Sequence, residues 1–180
     1  MRIVGGELKG RIIHPPKNFS ARPTTDFAKE SLFNILNNYV DFDEVNVLDL
    51  FSGTGSISFE FASRGVKNIT AVENNYLHFK FIKENAARLG LNSVKVYKHD
   101  VFNYIKHCDE KFDIIFADPP YSLDLLETIP DEIFKAGLLN EKGVFILEHS
   151  SKNRFANHVY FSEIRSYGSV NFTFFKKNSV

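Results

Sequence analysis

Apolar positions along the chain alternate between two rhythms. Near-continuous runs occur at residues 45–51 (VNVLDLF), 68–73 (NITAVE), 93–97, 112–117 (FDIIFA) and 143–148 (GVFILE). Such runs read as strands buried on both faces of a parallel sheet. Between them the apolar residues recur at three and four, the spacing of a helix with one buried stripe. One stripe, Ala28, Leu32, Phe33, Ile35, Leu36 and Tyr39, predicts a helix over 26–39, with Thr24 or Thr25 as N-cap. Ile57, Phe59, Phe61 and Ala62 predict a second helix ending near Gly65. Leu77, Phe81, Ile82, Ala86 and Leu89 predict a third over 76–89, stopped by Gly90. A short helix through Ile105 and one over 124–136, kinked at Pro130, complete the set. Residues 158–165 and 169–176 alternate instead, and Tyr167-Gly168 joins them as a closing hairpin with one antiparallel strand. Strand and helix in turn predict an α/β fold of the Rossmann-like class. Residues 1–14 read as two short strands around Gly5-Gly6 and Lys9-Gly10, an N-terminal β-hairpin arm that Pro15-Pro16 ends. The predicted division is an arm over 1–22 and a main domain over 23–180.

The first strand ends in Ser52-Gly53-Thr54-Gly55, and a helix follows. Two glycines let backbone approach a ligand closely, and the helix N-terminus directs free N–H groups at it. Asp49, inside an otherwise apolar strand, is costly to bury alone. Its predicted place is the C-terminal edge of the sheet, facing a ligand. Three readings fit this loop: a structural turn, a dinucleotide site and an S-adenosylmethionine site. The dinucleotide reading wants a third glycine where Ser58 stands.

Downstream acids narrow the choice. Glu73 ends the second strand 24 residues after Asp49, near the roughly 20-residue interval at which an acid meets a ribose. A carboxylate there accepts from both hydroxyls and disfavours a 2′-phosphate. Asp100, just after the third strand, suits an adenine amine. Asp118-Pro119-Pro120-Tyr121 closes the fourth strand. The prolines fix φ twice and remove two donors, leaving rigid carbonyls. A carboxylate, a fixed carbonyl and an aromatic face suit a planar group bearing an NH₂. A plain proline turn is the structural alternative. Acceptors on both N–H bonds free the lone pair of a nucleobase amine to attack a sulfonium methyl, with catalysis mostly by positioning and charge placement. Such a base has to be unpaired or flipped out.

Composition changes the picture in two ways. The formal charge is zero, yet residues 1–25 carry Arg2, Lys9, Arg11, Lys17 and Arg22 against Glu7, and residues 151–180 carry an equal +4. If the ends meet in space they form a basic rim, with Arg2, Lys9, Arg11 and Lys17 as phosphate contacts. The single Cys108 allows no internal disulfide and fits a reducing cytoplasm. The six histidines lack ligand spacing, so no metal is expected, and neither a signal peptide nor a membrane span is legible.

Taken together, RIVGGELKGRIIHPP, RPTTDFAKESLFNIL, LDLFSGTGSISFEFASRG, AVENN, the pair His99-Asp100 and DPPY closely resemble the bacterial 16S ribosomal RNA methyltransferases that modify a guanine on its exocyclic N2 amine. The glycine loop and DPPY alone would also admit enzymes acting on DNA adenine or protein glutamine. The resemblance implies a seven-stranded class I methyltransferase sheet and S-adenosylmethionine as cofactor. Asp49, Phe51, Gly53 and Gly55 would line its methionine part, Glu73 and Asn74 its ribose, Asp100 and Val101 its adenine end. Arg22 and Thr25 would lie in a segment that folds over the pocket, and Asp118, Pro119, Pro120 and Tyr121 would hold the target base. The implied partner is 16S ribosomal RNA in an assembling or assembled small-subunit particle. Phe27 departs from the family, where a basic residue is usual, and would weaken one phosphate contact. A non-catalytic RNA-binding module and a nicotinamide oxidoreductase remain as alternatives.

Overall fold

The protein is described here by a computed structural model, which covers residues 1–16, 19 and 25–177. Its centre is a seven-stranded sheet in the order β3-β2-β1-β4-β5-β7-β6. The strands are β1 (Asn46–Leu50), β2 (Asn68–Glu73), β3 (Val94–Lys98), β4 (Phe112–Ala117), β5 (Leu139–His149), β6 (Phe161–Tyr167) and β7 (Val170–Lys176). The first five pair in parallel, and β7 runs antiparallel to both β5 and β6. The β6–β7 turn therefore lies at the same edge of the sheet as the C-terminal ends of β1, β2, β4 and β5. The predicted fold class, with its one antiparallel strand, is the fold observed.

Two-residue alternation divides the sheet's side chains between two cores. Val47, Ile69, Ala71, Ile114, Phe116 and Ile146 pack beneath α1 (Asp26–Leu36), α2 (Ser56–Ser63) and α3 (Tyr76–Arg88). Leu48, Leu50, Val72, Ile115, Ala117 and Leu147 pack beneath α4 (Val101–His107) and α5 (Ile129–Ala136). Helix α1 is shorter than its stripe, and Thr25 caps it by accepting from the Ala28 amide at 3.2 Å. The expected 124–136 helix divides into a 3₁₀ turn at Leu126–Thr128 and α5. Pro130 produces no kink, because it occupies the first turn of α5, where a missing N–H costs nothing. Strand β5 begins earlier than expected, at Leu139, after an irregular register between Phe112 and Ile114.

The N-terminal residues pair too briefly to count as two strands. Arg2 and Ile12 make one isolated antiparallel bridge, Ile3 and Ile13 donate across it to the Arg11 and Met1 carbonyls at 2.9 Å, and residues 7–10 form the turn. Two glycines in quick succession favour turns over a ladder. The segment is nonetheless tied to the body. Ile3 and Ile13 join the first core, the Val4 amide donates to Glu60 at 2.9 Å, and the Leu8 amide donates to Ser63 at 2.9 Å. At Gly6 (φ +72°) a Cβ would stand 1.9 Å from the Ser63 carbonyl oxygen, so only glycine admits this approach.

Beneath this contact lies a charged network. Lys29, 1% exposed, donates to the Arg2 carbonyl at 2.5 Å and to Ser56 at 3.1 Å, and stands 3.9 Å from Glu60. Arg64 closes on the other Glu60 oxygen at 2.9 Å. Burial lowers the Lys29 pKa, and the Glu60 and Asp26 charges oppose that shift.

Candidate active site

Four acids stand on one face of the sheet at its C-terminal edge. Register puts Leu50 beside Val72 and Ala117, and Ala117 beside Leu147. The residues that follow, Glu73, Asp118 and Glu148, are therefore level on β2, β4 and β5. By alternation their side chains share the face of α1, α2 and α3. Asp49 lies on the same face of β1, one side-chain row deeper. The Asp118 amide donates to the Leu50 carbonyl at 3.4 Å, which holds the end of β4 against the start of the glycine loop.

The glycine loop is built on left-handed backbone. Phe51 (φ 58°), Gly53 (φ 56°) and Gly55 (φ 74°) turn the chain sharply out of β1 and into α2. A non-glycine residue is uncommon in that region, and Phe51 is held there by the second core. Gly55 is the N-cap residue of α2, and a Cβ there would press on Ile82 and Phe59 at 3.0–3.1 Å. Asp49 is fully engaged with the first turn of this helix. Its Oδ2 accepts from the Ser58 amide at 3.1 Å and the Ser58 hydroxyl at 2.5 Å. Ser58, which sits where a dinucleotide loop would carry glycine, is thus the partner that anchors the acid. Burial pushes the Asp49 carboxyl up to about 7; the Ser58 donors oppose this, and the Glu73 charge reinforces it.

Glu73 is fixed from both sides. One oxygen accepts from the Gly53 amide at 2.8 Å, the other from the Asn75 amide at 2.7 Å. Each carboxylate oxygen carries two lone pairs, so acceptor capacity remains for a diol. His78 Nδ1 lies 3.9 Å from the same carboxylate. The Phe19 ring lies tilted against His78 at 4.4 Å and edge-on to Phe81 at 5.1 Å. Asn74 is exposed beside Glu73. Asp100 caps α4 by accepting from the Asn103 amide at 2.9 Å, and Val101 is buried behind it. Thr25 is exposed at the head of α1, whose Lys29 reaches Ser56 directly after the glycine loop. Arg22 and Lys17 lie outside the described residues.

The DPPY segment presents a graded surface. Asp118 is half-buried, Pro119 buried, Pro120 exposed, and Tyr121 is 46% exposed. Burial drives the Asp118 carboxyl well above the usual range, and the Glu148 and Asp49 charges add to the shift. Tyr121 donates to Glu148 Oε1 at 3.3 Å. Sequence reasoning overlooked Glu148, although the signal that marked Glu73, an acid at the end of an apolar strand, also marks it.

Arg2, Lys9 and Arg11 are exposed, and Arg2 pairs with Asp26 at 3.0 Å. Phe27 is 69% exposed, with its ring edge-on to Tyr167 at 5.9 Å. The start of α1 thus meets the β6–β7 turn. Among the described residues no group of His, Cys, Asp and Glu could hold a metal ion, and no helix is long and apolar enough to cross a membrane.

Known proteins share this architecture. A Bacillus subtilis (strain 168) protein named "Putative rRNA methyltransferase YlbH" is 34% identical over 83% of this chain and 82% of its own length. The Escherichia coli (strain K12) "Ribosomal RNA small subunit methyltransferase D" is 28% identical over 85% of this chain and 76% of its own. The solved structure "Putative methyltransferase yhhF from Escherichia coli" superposes with a TM-score of 0.86 at 25% identity, covering 100% of this chain and 99% of that one. The family described as conserved hypothetical protein 95 matches residues 1–176. The chain belongs to that family, and its sheet is the Rossmann-like sheet of methyltransferases.

Proposed function

We propose that this protein transfers a methyl group from S-adenosylmethionine to the exocyclic N2 amine of a guanine in small-subunit ribosomal RNA. The observation that carries the reading is the shared rim. Asp49, the glycine loop and Glu73 adjoin Asp118–Tyr121 on neighbouring strand ends, which supports a donor and an acceptor site sharing one edge. The relatives named as ribosomal RNA methyltransferases support the substrate class.

The residues present fit the cofactor. Glu73 keeps acceptor capacity for the ribose hydroxyls, Asp100, exposed just beyond β3, would take the adenine amine, and Asp49 sets an acid beneath the loop that would carry the ammonium of the amino-acid portion. When bound, S-adenosylmethionine supplies an electrophilic methyl on sulfonium sulfur. The protein's part is then to hold and deprotonate the amine. Asp118 and a rigid proline carbonyl accept from the N–H bonds, while the Tyr121 ring stacks on the base. An Asp118 carboxyl raised above its ordinary range is a stronger base, suited to take the proton the amine sheds. The arm, through Lys9 and Arg11, would contact RNA phosphates, in the cytoplasm where small subunits assemble.

Mass spectrometry of ribosomal RNA from a strain lacking the protein tests this. One missing methyl on one small-subunit guanine, restored by the wild-type gene, is the expected result. An unchanged methylation pattern would overturn the reading.

A further inference from the structure

We infer that Glu148 is the residue that selects guanine, by accepting from the base's ring N1–H beside the amine that Asp118 holds. This rests on the methyltransferase reading above and extends it to the choice of base.

The geometry is specific. Asp118 and Glu148 follow the paired residues Ala117 and Leu147 on adjacent parallel strands, so their side chains leave the sheet at one level and on one face. Neighbouring parallel strands lie about 4.8 Å apart, near enough for side chains from the two to converge on one base edge. Glu148 is only 4% exposed, and Tyr121 donates to its Oε1 at 3.3 Å. The ring expected to stack on the base is thereby tied to this carboxylate, which orients both together. Phe172, opposite Glu148 on β7, is fully buried and walls that side with carbon. The Asp118 carboxyl responds to the Glu148 charge, consistent with their closeness.

Base chemistry supplies the discrimination. Guanine is the base whose exocyclic amine is flanked by a ring N–H. In adenine and cytosine the ring nitrogen beside the amine carries a lone pair instead. Two adjacent acceptors match the guanine edge, N2 amine to Asp118 and N1–H to Glu148. Either other base would turn a lone pair toward a buried carboxylate, leaving two acceptors opposed.

The test uses 2-aminopurine, which keeps the N2 amine and loses the N1–H. The methylated guanine, once located, is replaced by 2-aminopurine in otherwise identical small-subunit RNA. Wild-type protein should favour the guanine RNA by about 10- to 100-fold in kcat/KM, the range a hydrogen bond to a charged group brings. Glu148→Gln, whose amide can donate to the N1 lone pair, should close most of that gap. Asp118→Asn should lower kcat on both RNAs and leave the preference in place. If Glu148→Gln binds S-adenosylhomocysteine normally yet keeps the wild-type preference, or loses both RNAs by one factor, Glu148 serves only to hold Tyr121 and the inference is wrong. If wild-type protein methylates neither RNA, the methyltransferase reading itself has failed.

Discussion

Tyr121 and Glu148, 27 residues apart, meet through a 3.3 Å hydrogen bond that joins the DPPY turn to the end of β5. That bond ties a motif on one strand to a carboxylate on the next. It also sets a second carboxylate next to Asp118, with consequences for its protonation.

Asp118 should act as a base with a raised pKa. Its carboxyl is shifted up by burial first and by the Glu148 and Asp49 charges next. Methyl transfer should therefore rise with pH as Asp118 ionises, along a limb above the ordinary carboxylate range. Glu148→Gln removes one cause and should move the limb to lower pH. Asp118→Ala should abolish transfer while S-adenosylhomocysteine affinity, measured by calorimetry, stays nearly unchanged. Surviving activity would remove Asp118 from the mechanism.

Asp49 should make stability fall with rising pH. Its folded pKa is about 7 against an ordinary 3.8, so the folded state binds the proton more tightly than the unfolded chain does. The stabilisation this brings is full below the unfolded pKa and is lost as pH rises through the folded one. Melting temperature should decline between about pH 4 and 7 in the wild type. Asp49→Asn should flatten that decline. A parallel decline in both proteins would assign it elsewhere.

Lys29 should matter to folding more than its helical position indicates. It is the buried cation between the N-terminal segment, α1 and α2. Lys29→Met fills the same space but leaves the Arg2 carbonyl without its donor and Glu60 with one cation fewer. Removing one member of a buried pair costs about 3 kcal/mol, measurable by urea denaturation. Arg64 stays within 2.9 Å of Glu60, which should keep the loss from being larger.

Lys9 and Arg11 are exposed on the N-terminal turn. Replacing both with Glu should weaken RNA binding and lower the slope of log affinity against log salt by about 2, one unit per lost phosphate contact. Arg2, already paired with Asp26, should contribute less. An unchanged slope would confine this segment to packing.

Several features were legible in the chain because their causes are local. Unbroken apolar runs gave the five parallel strands. Strict alternation at Val170, Phe172 and Phe174 gave the hairpin, and Thr25 was readable as a cap because capping acts over three residues. Gly53, Gly55 and the paired prolines announced themselves through backbone restriction alone. What needed the folded molecule was everything set by register between distant strands. Ser58 became the anchor of Asp49, Glu148 the neighbour of Asp118, and Lys29 a buried link. Ser58 and Lys29 are ordinary polar residues by local pattern, and Glu148, though it ends an apolar strand as Glu73 does, gains its neighbour only when β4 and β5 pair. The N-terminal segment shows the same division. Its glycines suggested the turn between two short antiparallel pieces that pair locally, but its anchoring to α2, more than fifty residues away, needed the fold. Local pattern fixes φ, ψ and which face is apolar; it carries no information on which strands become neighbours, and that neighbourhood brings Asp49, Glu73, Asp118 and Glu148 to one edge.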